Sequence, residues 1–310
     1  MSESLPPAPG TDPGTDPGAD AAGGDHGLLP EAHDPLVAHP QGRRASALEW
    51  GRRKLAWIGR LVRRQARFML IMLGASWGVI YESFRAHTWR RTVRYEFVST
   101  MNSIIRGGVV ATLFAGVLTG LAAVSQVIYW LGLTGLATMT GSILINVVVR
   151  EIAPILVGVL LLGRNGMLST TELGLLTIGG EIRSMQAVGV DPFLLLVMPR
   201  TLAFTVAGFT LGILFSFAAL VTGYVMSRIS GVITNPVWTF FDDVVTAMSG
   251  ADYVIIPLKF ITVGFVVGLG GCLTGLTATN TDTLRSLLPR GFSRGMLIVM
   301  VVSVLFSLEL

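Results

Sequence analysis

The chain has 310 residues, of which 51% are hydrophobic and only 14% are charged, and its mean hydropathy is +0.65. A soluble domain carries about 25% charged residues, so this composition excludes an ordinary soluble enzyme and predicts that most of the chain lies in lipid. With a single cysteine, Cys272, the chain can form no intramolecular disulfide and no cysteine-rich metal site. All four histidines precede residue 88. We therefore expect neither a metal site nor a histidine proton relay within the membrane.

The net charge of +4 is unevenly distributed along the chain. Residues 1–40 carry seven acidic residues and no Lys or Arg, residues 41–94 carry thirteen basic residues against two acidic ones, and residues 95–310 balance ten against ten. The basic run directly precedes apolar sequence, and basic residues in that position favour the cytoplasmic face and contact anionic headgroups. We therefore predict a membrane-surface role for this run and no binding of nucleic acid.

Residues 1–50 are predicted to form a disordered acidic tail. Fourteen of the first forty residues are Pro or Gly, and the tetrapeptide TDPG occurs twice in succession at residues 11–18. Such a segment buries too little apolar surface to offset the entropy of ordering. It also lacks the basic and apolar parts of a secretory signal, so we expect it to stay in the cytoplasm.

Residues 51–94 are predicted to form a basic, interfacial helical region. Between Arg52 and Met69, arginines at helical spacing share one arc of about 100°, and apolar residues occupy the opposite side. The following apolar run, Phe68–Tyr81, has 14 residues, fewer than the roughly 20 that a spanning helix needs. We predict that this run lies in the membrane interface. The alternative is a sixth transmembrane helix that begins near Ala56.

Residues 95–310 are predicted to form five transmembrane helices. The 43 uncharged residues between Arg106 and Arg150 are too many for one helix and suit two, with a break near Gly132 and Gly135. The predicted spans are about 107–131, 141–163, 199–226, 258–281 and 295–310. The glycine pairs Gly116/Gly120, Gly208/Gly212, Gly264/Gly268 and Gly271/Gly275 are spaced to allow close helix approach, although glycine is common in such helices generally.

The basic residues of the connections predict the orientation of this all-α integral membrane protein. With a cytoplasmic N-terminus, six of these arginines fall on the cytoplasmic side and the opposite side holds Arg228 and, near a helix end, Lys259. The positive-inside rule therefore places the C-terminus on the opposite, periplasmic side. The six cytoplasmic residues are Arg164, Arg183, Arg200, Arg285, Arg290 and Arg294.

Two adjacent charges, Arg150 and Glu151, are predicted to lie near the middle of the second span. A charge at the bilayer centre costs about 2.5–3.5 kcal/mol, so such side chains usually face a polar cavity or a partner. Pro154 lacks a backbone donor and predicts a locally opened helix. We predict that Arg150, Glu151 and Lys259 contribute to a substrate path. The alternative is that Arg150 and Glu151 form a structural pair inside the bundle.

The connection at about 164–198 is predicted to contain a short helix, Glu181–Ala187, which ends at Gly189 and Pro192. A short polar helix held between two spans is a suitable docking element for a soluble partner. The alternative is an ordinary solvated connection, although long, defined connections usually have a function.

Several short motifs follow one another from about Phe68 to the end of the chain. With this order and spacing, the chain resembles the MlaE (YrbE-like) permeases of ABC transporters associated with MCE proteins. The motifs are E-x-x-P (Glu151–Pro154), G-R-x-G-x5-E-L-G (Gly163–Gly174), G-V-D-P (Gly189–Pro192), Pro199–Arg200, and the run from Lys259 through Gly264 to Gly271–Gly275, with Glu309 closing the last helix. The structural motif residues are Pro154, Gly163, Arg164, Gly166, Gly174 and Gly189.

The resemblance implies a homodimeric permease of the bacterial inner membrane, whose two copies enclose a cavity for phospholipid. It implies a separate ABC ATPase that binds ATP, so this chain itself would hold no cofactor. An MCE-domain protein would act as the periplasmic partner, and the resemblance leaves room for a small STAS-like cytoplasmic subunit. The residues that it assigns to ATPase coupling are Glu172, Glu181, Asp191 and Pro192.

The two lysines, Lys54 and Lys259, do not follow glycine, so the chain contains no Walker A phosphate-binding loop. We therefore predict a permease subunit and not an enzyme. Two other classes stay open at this stage. One is an ion-coupled secondary transporter with Glu151 as the proton carrier, and the other is a membrane scaffold that only anchors other proteins.

Overall fold

A computed structural model describes residues 42–135, 140–231, 236–279 and 283–308. The chain divides into two units, Met1–Arg60 and Leu61–Leu310. Most of the predicted tail, and Glu309, lie outside the described residues. Residues 42–50, which belong to the predicted tail, are helical.

The described residues fold into helices joined by short connections. Helix α1 covers Gly42–Ser83 and is followed by a 3-10 turn at Ala86–Thr88. Five helices are long and apolar enough to cross a membrane: α2 (Arg91–Leu133), α3 (Gly141–Ile178), α5 (Phe193–Ile229), α7 (Asp252–Leu276) and α8 (Arg285–Leu308). Two short helices complete the fold, α4 (Glu181–Ala187) and α6 (Val237–Thr246).

The number of spanning helices agrees with the sequence, and the predicted count of five is confirmed. Their bounds differ, because several helices continue beyond the uncharged stretch that marks a span in the sequence. Helix α2 begins at Arg91 and not near residue 107, and α3 continues to Ile178 and not to about 163. These extensions carry charges such as Glu96 and Glu172, which hydropathy places outside a span.

Helix α1 is continuous over 42 residues and is not among the helices that are apolar enough to cross a membrane. Within Leu61–Leu310, one face of α1 is buried through Phe68, Met72 and Val79, and the other exposes large side chains such as Trp77. The guanidinium of Arg294 lies over the Phe68 ring at 4.6 Å. These features do not support the sixth transmembrane helix, and the interfacial position of α1 stays a prediction.

The connection between α3 and α5 is shorter than the sequence predicts. Residues 164–178 continue α3 and residues 193–198 begin α5, which leaves residues 179–192 between them. The short helix predicted at Glu181–Ala187 is present as α4. Glycines in the left-handed region, Gly180 (φ +80°) and Gly189 (φ +81°), stand on either side of it, where a side chain would be strained. We call the end of the bundle that carries residues 179–192 the connection end, and the opposite end the far end.

Helix α3 departs from regular α geometry in two places. Leu144–Ile152 and Leu162–Gly166 are π-helical, so their hydrogen bonds reach five residues back. The N–H of Ala153 donates to the carbonyl of Val148, directly before Pro154, which has no N–H of its own. The local opening that the sequence predicts near Pro154 is therefore observed.

A close helix contact in the bundle joins α5 and α7 through glycine. A Cβ added to Gly208 would lie 2.8 Å from the Cα of Gly264, and one added to Gly264 would lie 2.5 Å from the carbonyl oxygen of Phe204. In a membrane, burying apolar side chains between helices gives no hydrophobic gain, because the lipid is equally apolar. Helices there associate through close packing at small residues. The predicted role of these glycines as contact residues is consistent with this geometry.

We expect Gly264→Ala to lower the stability of the folded bundle by about 1–3 kcal/mol, because its added methyl group meets backbone that cannot move aside. Gly270→Ala, on the same helix, is the matched control, since its Cβ would meet nothing nearer than Ile298 Cδ1 at 3.8 Å. Both variants gain the same helix propensity. Thermal unfolding of the two purified variants in detergent checks this, and equal midpoints would contradict the packing account.

Candidate functional site

The charges of α3 are paired with side chains of α7 and α8. Lys259 of α7 is only 1% exposed, and its Nζ lies 3.0 Å from Glu151 Oε1. The hydroxyl oxygen of Ser307 on α8 lies 2.9 Å from each carboxylate oxygen of Glu151, within donating distance of either. Glu151 therefore joins three helices, and the buried ammonium of Lys259 has the counter-charge that it needs.

Arg150 lies 3.5 Å from Asp252, the first residue of α7, and also donates to Asn146 Oδ1 at 3.2 Å. Asp252 is 4% exposed, and its second oxygen accepts hydrogen bonds from the backbone N–H and the hydroxyl of Ser249. Arg150 and Glu151 therefore do not pair with each other, and the alternative that the two charges are neutralised within the bundle for a structural role stays open. Consecutive residues of a helix point in different directions, so each charge finds its partner on another helix.

Arg150 and Glu151 do not lie at the middle of α3 as the structure defines this helix, and their depth in the bilayer stays a prediction. Because α3 continues to Ile178, Arg150 is the tenth of its 38 residues, about 14 Å from its start at 1.5 Å per residue. Ser307 precedes the last described residue of α8, and Asp252 begins α7. Arg150, Glu151, Lys259, Asp252 and Ser307 thus form a cluster at the far end, which we call the Glu151 cluster.

A second ionic cluster, centred on Arg200, lies toward the connection end. Arg200 of α5 donates to Glu96 of α2 through Nε and Nη2, each at 3.0 Å, and to Glu172 of α3 through Nη1 at 2.9 Å. We call these three residues the Arg200 cluster. The Arg200 cluster links α2 and α5 to α3, whereas the Glu151 cluster links α3 to α7 and α8.

Glu172, which the resemblance assigns to ATPase coupling, lies within α3, six residues before the end of that helix, and pairs with Arg200. Its coupling role stays a prediction. The sequence reasoning missed Glu96 and gave no role to Arg200. Two features of the sequence could have indicated these residues. One is the Pro199–Arg200 motif, and the other is the position of Glu96 as an isolated acidic residue after the strongly basic run at 41–94.

The other predicted coupling residues lie in the connection itself. Glu181 is exposed in the first turn of α4, and Pro192 is buried. Asp191 is exposed, and its Oδ1 accepts the backbone N–H of Phe193 at 2.9 Å. Asp191 thus caps the start of α5, which gives it a structural role besides any contact with a partner.

The motif glycines of α3 mainly allow close contacts. A Cβ on Gly174 would lie 2.5 Å from Leu287 Cδ2, and the carbonyl of Gly166 lies beside Gly271 of α7. Thr170 donates to the carbonyls of both Gly166 and Gly271, at 2.9 and 3.1 Å. A Cβ on Gly163 would meet nothing nearer than the Phe292 ring at 4.0 Å. The Arg164 guanidinium lies against Gly107 of α2.

Five apolar helices that enclose ion pairs are typical of a multi-pass membrane protein. The family model of the permease MlaE matches residues 97–308. The chain therefore belongs to the MlaE permease family, and it is a transport subunit.

Two curated proteins show the same likeness over part of their lengths. A probable ABC transporter permease protein of Synechocystis sp. is 28% identical over 169 residues, which are 54% of this chain and 61% of that protein. The chloroplastic protein TRIGALACTOSYLDIACYLGLYCEROL 1 of Arabidopsis thaliana is 23% identical over 168 residues, 54% of this chain and 47% of that protein. The chain thus matches roughly half of the length of these relatives.

We expect Glu151→Gln to cost about 3 kcal/mol of stability, the lower end of the range for breaking a buried pair, because the Glu151 side chain is 36% exposed. Lys259→Met combined with Glu151→Gln should recover most of this loss, since no buried charge is then left alone. Arg85→Gln breaks a surface pair with Glu82 and should cost less than about 1 kcal/mol. Thermal unfolding in detergent measures all three, and an additive double variant would contradict the pairing.

Proposed function

We propose that this chain is the membrane subunit of an ABC transporter that moves phospholipid. A separate ATPase supplies the energy, and an MCE-domain protein on the periplasmic side exchanges lipid with the permease. The active form is a homodimer in the bacterial inner membrane, with the N-terminus cytoplasmic and the C-terminus periplasmic. A small STAS-like cytoplasmic subunit is a further candidate partner.

The observation that carries this proposal is the separation of two different polar features along one bundle. The Glu151 cluster at the far end keeps ionic groups among apolar helices. Ionic groups inside a membrane cost free energy, and those that occur there usually line a path for a substrate or ion. At the connection end, residues 179–192 expose Glu181 on the short, glycine-bounded helix α4 and Asp191 just beyond it. A lipid path at one end and a docking element at the other are what an ATPase-driven permease requires.

Family membership supports the permease role, and the names of the two relatives extend the comparison. One is called a probable ABC transporter permease, which supports an ATPase partner here. The name of the other refers to a diacylglycerol lipid, which is compatible with lipid cargo.

Transport by proteoliposomes tests the proposal. Transfer of fluorescent phospholipid should require the co-expressed ATPase and ATP, and should persist with an uncoupler. Collapse with the uncoupler would instead favour an ion-coupled transporter that uses Glu151, and no transfer under any condition would favour a scaffold. In the same assay the Glu151→Gln/Lys259→Met double variant should lose transfer by about tenfold or more while it recovers stability. Normal transfer by this stable variant would reduce the Glu151 cluster to a structural role.

Coupling through the connection is tested separately by co-purification with the ATPase from detergent. Asp191→Asn keeps an oxygen that can cap α5 but removes the charge, so we expect weaker recovery of the ATPase with unchanged thermal stability. Glu181→Gln should act in the same direction. Thr210→Ala, at an exposed position of α5 away from the connection, is the control. Unchanged recovery of the ATPase with both charge variants would remove the coupling assignment.

A further inference from the structure

A polar cavity of about 250 Å³ lies between α2, α3 and α5, beside the Arg200 cluster. The hydroxyls of Ser99, Thr100 and Ser103 line it from α2, and Asn165 and Ser169 line it from α3. Ser99 and Ser103 are exposed, whereas Asn165 and Ser169 are 6% and 7% exposed. The cavity is therefore reachable from the surface of α2 and has a buried floor on α3.

The hydroxyl and carboxamide groups that line this cavity form no hydrogen bonds with other described residues of the protein. Elsewhere in the spans, hydroxyls donate to the carbonyl four residues earlier, as in Thr201 to Val197, Ser216 to Gly212 and Thr274 to Gly270. Within the described residues, the four cavity hydroxyls and the Asn165 carboxamide make no hydrogen bond. A buried polar group without a partner costs about 1–3 kcal/mol, so the floor of the cavity favours a polar ligand or water.

The charge beside the cavity favours a cationic group. The guanidinium of Arg200 faces two carboxylates, so the Arg200 cluster carries one excess negative charge. Arg200 contacts Oε1 of Glu96 and Oε2 of Glu172, and the second oxygen of each carboxylate accepts no hydrogen bond within the described part of the chain. A primary ammonium, with three N–H donors, suits these oxygens and the neighbouring hydroxyls.

A second cavity, of about 260 Å³, continues along the same two helices toward the far end. Its lining is mainly apolar, from Gly108 and Ala111 of α2 and residues 159–161 of α3, and it shares Asn165 with the polar cavity. Arg164 stands at the boundary, against Gly107, and has no ion-pair partner among the described residues. The order along the helices is thus carboxylates, hydroxyls, a free guanidinium and an apolar cavity.

We propose that the seam between α2 and α3 binds a phospholipid whose headgroup ends in a primary ammonium. The ammonium lies at Glu96 and Glu172, the phosphate accepts hydrogen bonds from the hydroxyls of Ser99, Thr100 and Ser169, and one acyl chain extends past Arg164 into the apolar cavity. This site is separate from the Glu151 cluster, since Asn165 and Glu151 are 14 residues and about 20 Å apart along α3. The inference rests on the proposed lipid transport and deepens it by naming the headgroup class.

Photo-cross-linking of the full chain in nanodiscs, without the ATPase, tests the site. The probes are phosphatidylethanolamine and phosphatidylglycerol, each with a diazirine in the acyl chain. Mass spectrometry should find the ethanolamine probe on the peptides that contain residues 108–112 and 159–163, about tenfold above the glycerol probe, as expected for loss of a charge-assisted hydrogen bond. Equal labelling by the two probes would overturn the assignment of the headgroup.

Two variants make the test specific. Ser103→Leu fills the cavity from its exposed side and should reduce labelling by the ethanolamine probe about tenfold, whereas Thr210→Leu, at an exposed position of α5, should not. Glu172→Gln should bring the labelling by the two probes close to equality. If neither Ser103→Leu nor Glu172→Gln changes the labelling, the cavity holds only water and the proposed lipid site is wrong. Labelling without ATP-driven transfer would refute the proposed function alone, and transfer without labelling would refute this site alone.

Discussion

The fold depends on keeping charged side chains of apolar helices in contact with opposite charges on neighbouring helices. An isolated charge inside a bilayer is expensive, and a single helix cannot neutralise it along its own surface as well as a neighbour can. Lys259, which is almost completely buried, is therefore tied to Glu151 on another helix. Arg200 satisfies the same requirement with two carboxylates from two helices.

These ion pairs require the helices to approach closely, and glycine provides that approach. The contact between Gly208 and Gly264 holds α5 against α7, and the π-helical segment Leu144–Ile152 presents Arg150 and Glu151 to α7 and α8. The clusters in turn fix the relative register of the helices, since each pair has one geometry in which both charges are satisfied. Packing and electrostatics therefore support one another, with the Arg200 cluster toward the connection end and the Glu151 cluster at the far end.

Much of the architecture follows from the sequence because the bilayer sets the length of an uncharged run. The 43 residues between Arg106 and Arg150 indicated two spans, and glycine and proline positions indicated the short helix Glu181–Ala187. The helix ends could not be predicted in this way, because charged residues such as Glu96 and Glu172 continue the helices while packed against Arg200.

The sequence could not predict which charged residues pair, for a related reason. Lys259 and Glu151 are 108 residues apart, and Arg200 and Glu96 are 104 apart, so no local pattern joins them. Adjacency instead suggested Arg150 and Glu151 as a pair, which helix geometry forbids. Site residues are therefore partly visible in the sequence as unusual charges, but their partners are defined only by the packing of the bundle.

The central claim is that the two ends of the bundle face different compartments, with residues 179–192 toward the ATPase and the Glu151 cluster toward the opposite side. Site-directed labelling in intact cells tests it most directly, in a Cys272→Ala background that removes the buried native thiol. We expect a cysteine at the exposed position 184 in α4 to resist a membrane-impermeant maleimide until the membrane is opened, and a cysteine at the exposed position 230 to react at once. Reaction of position 184 from outside, or the same accessibility at both positions, would contradict the account.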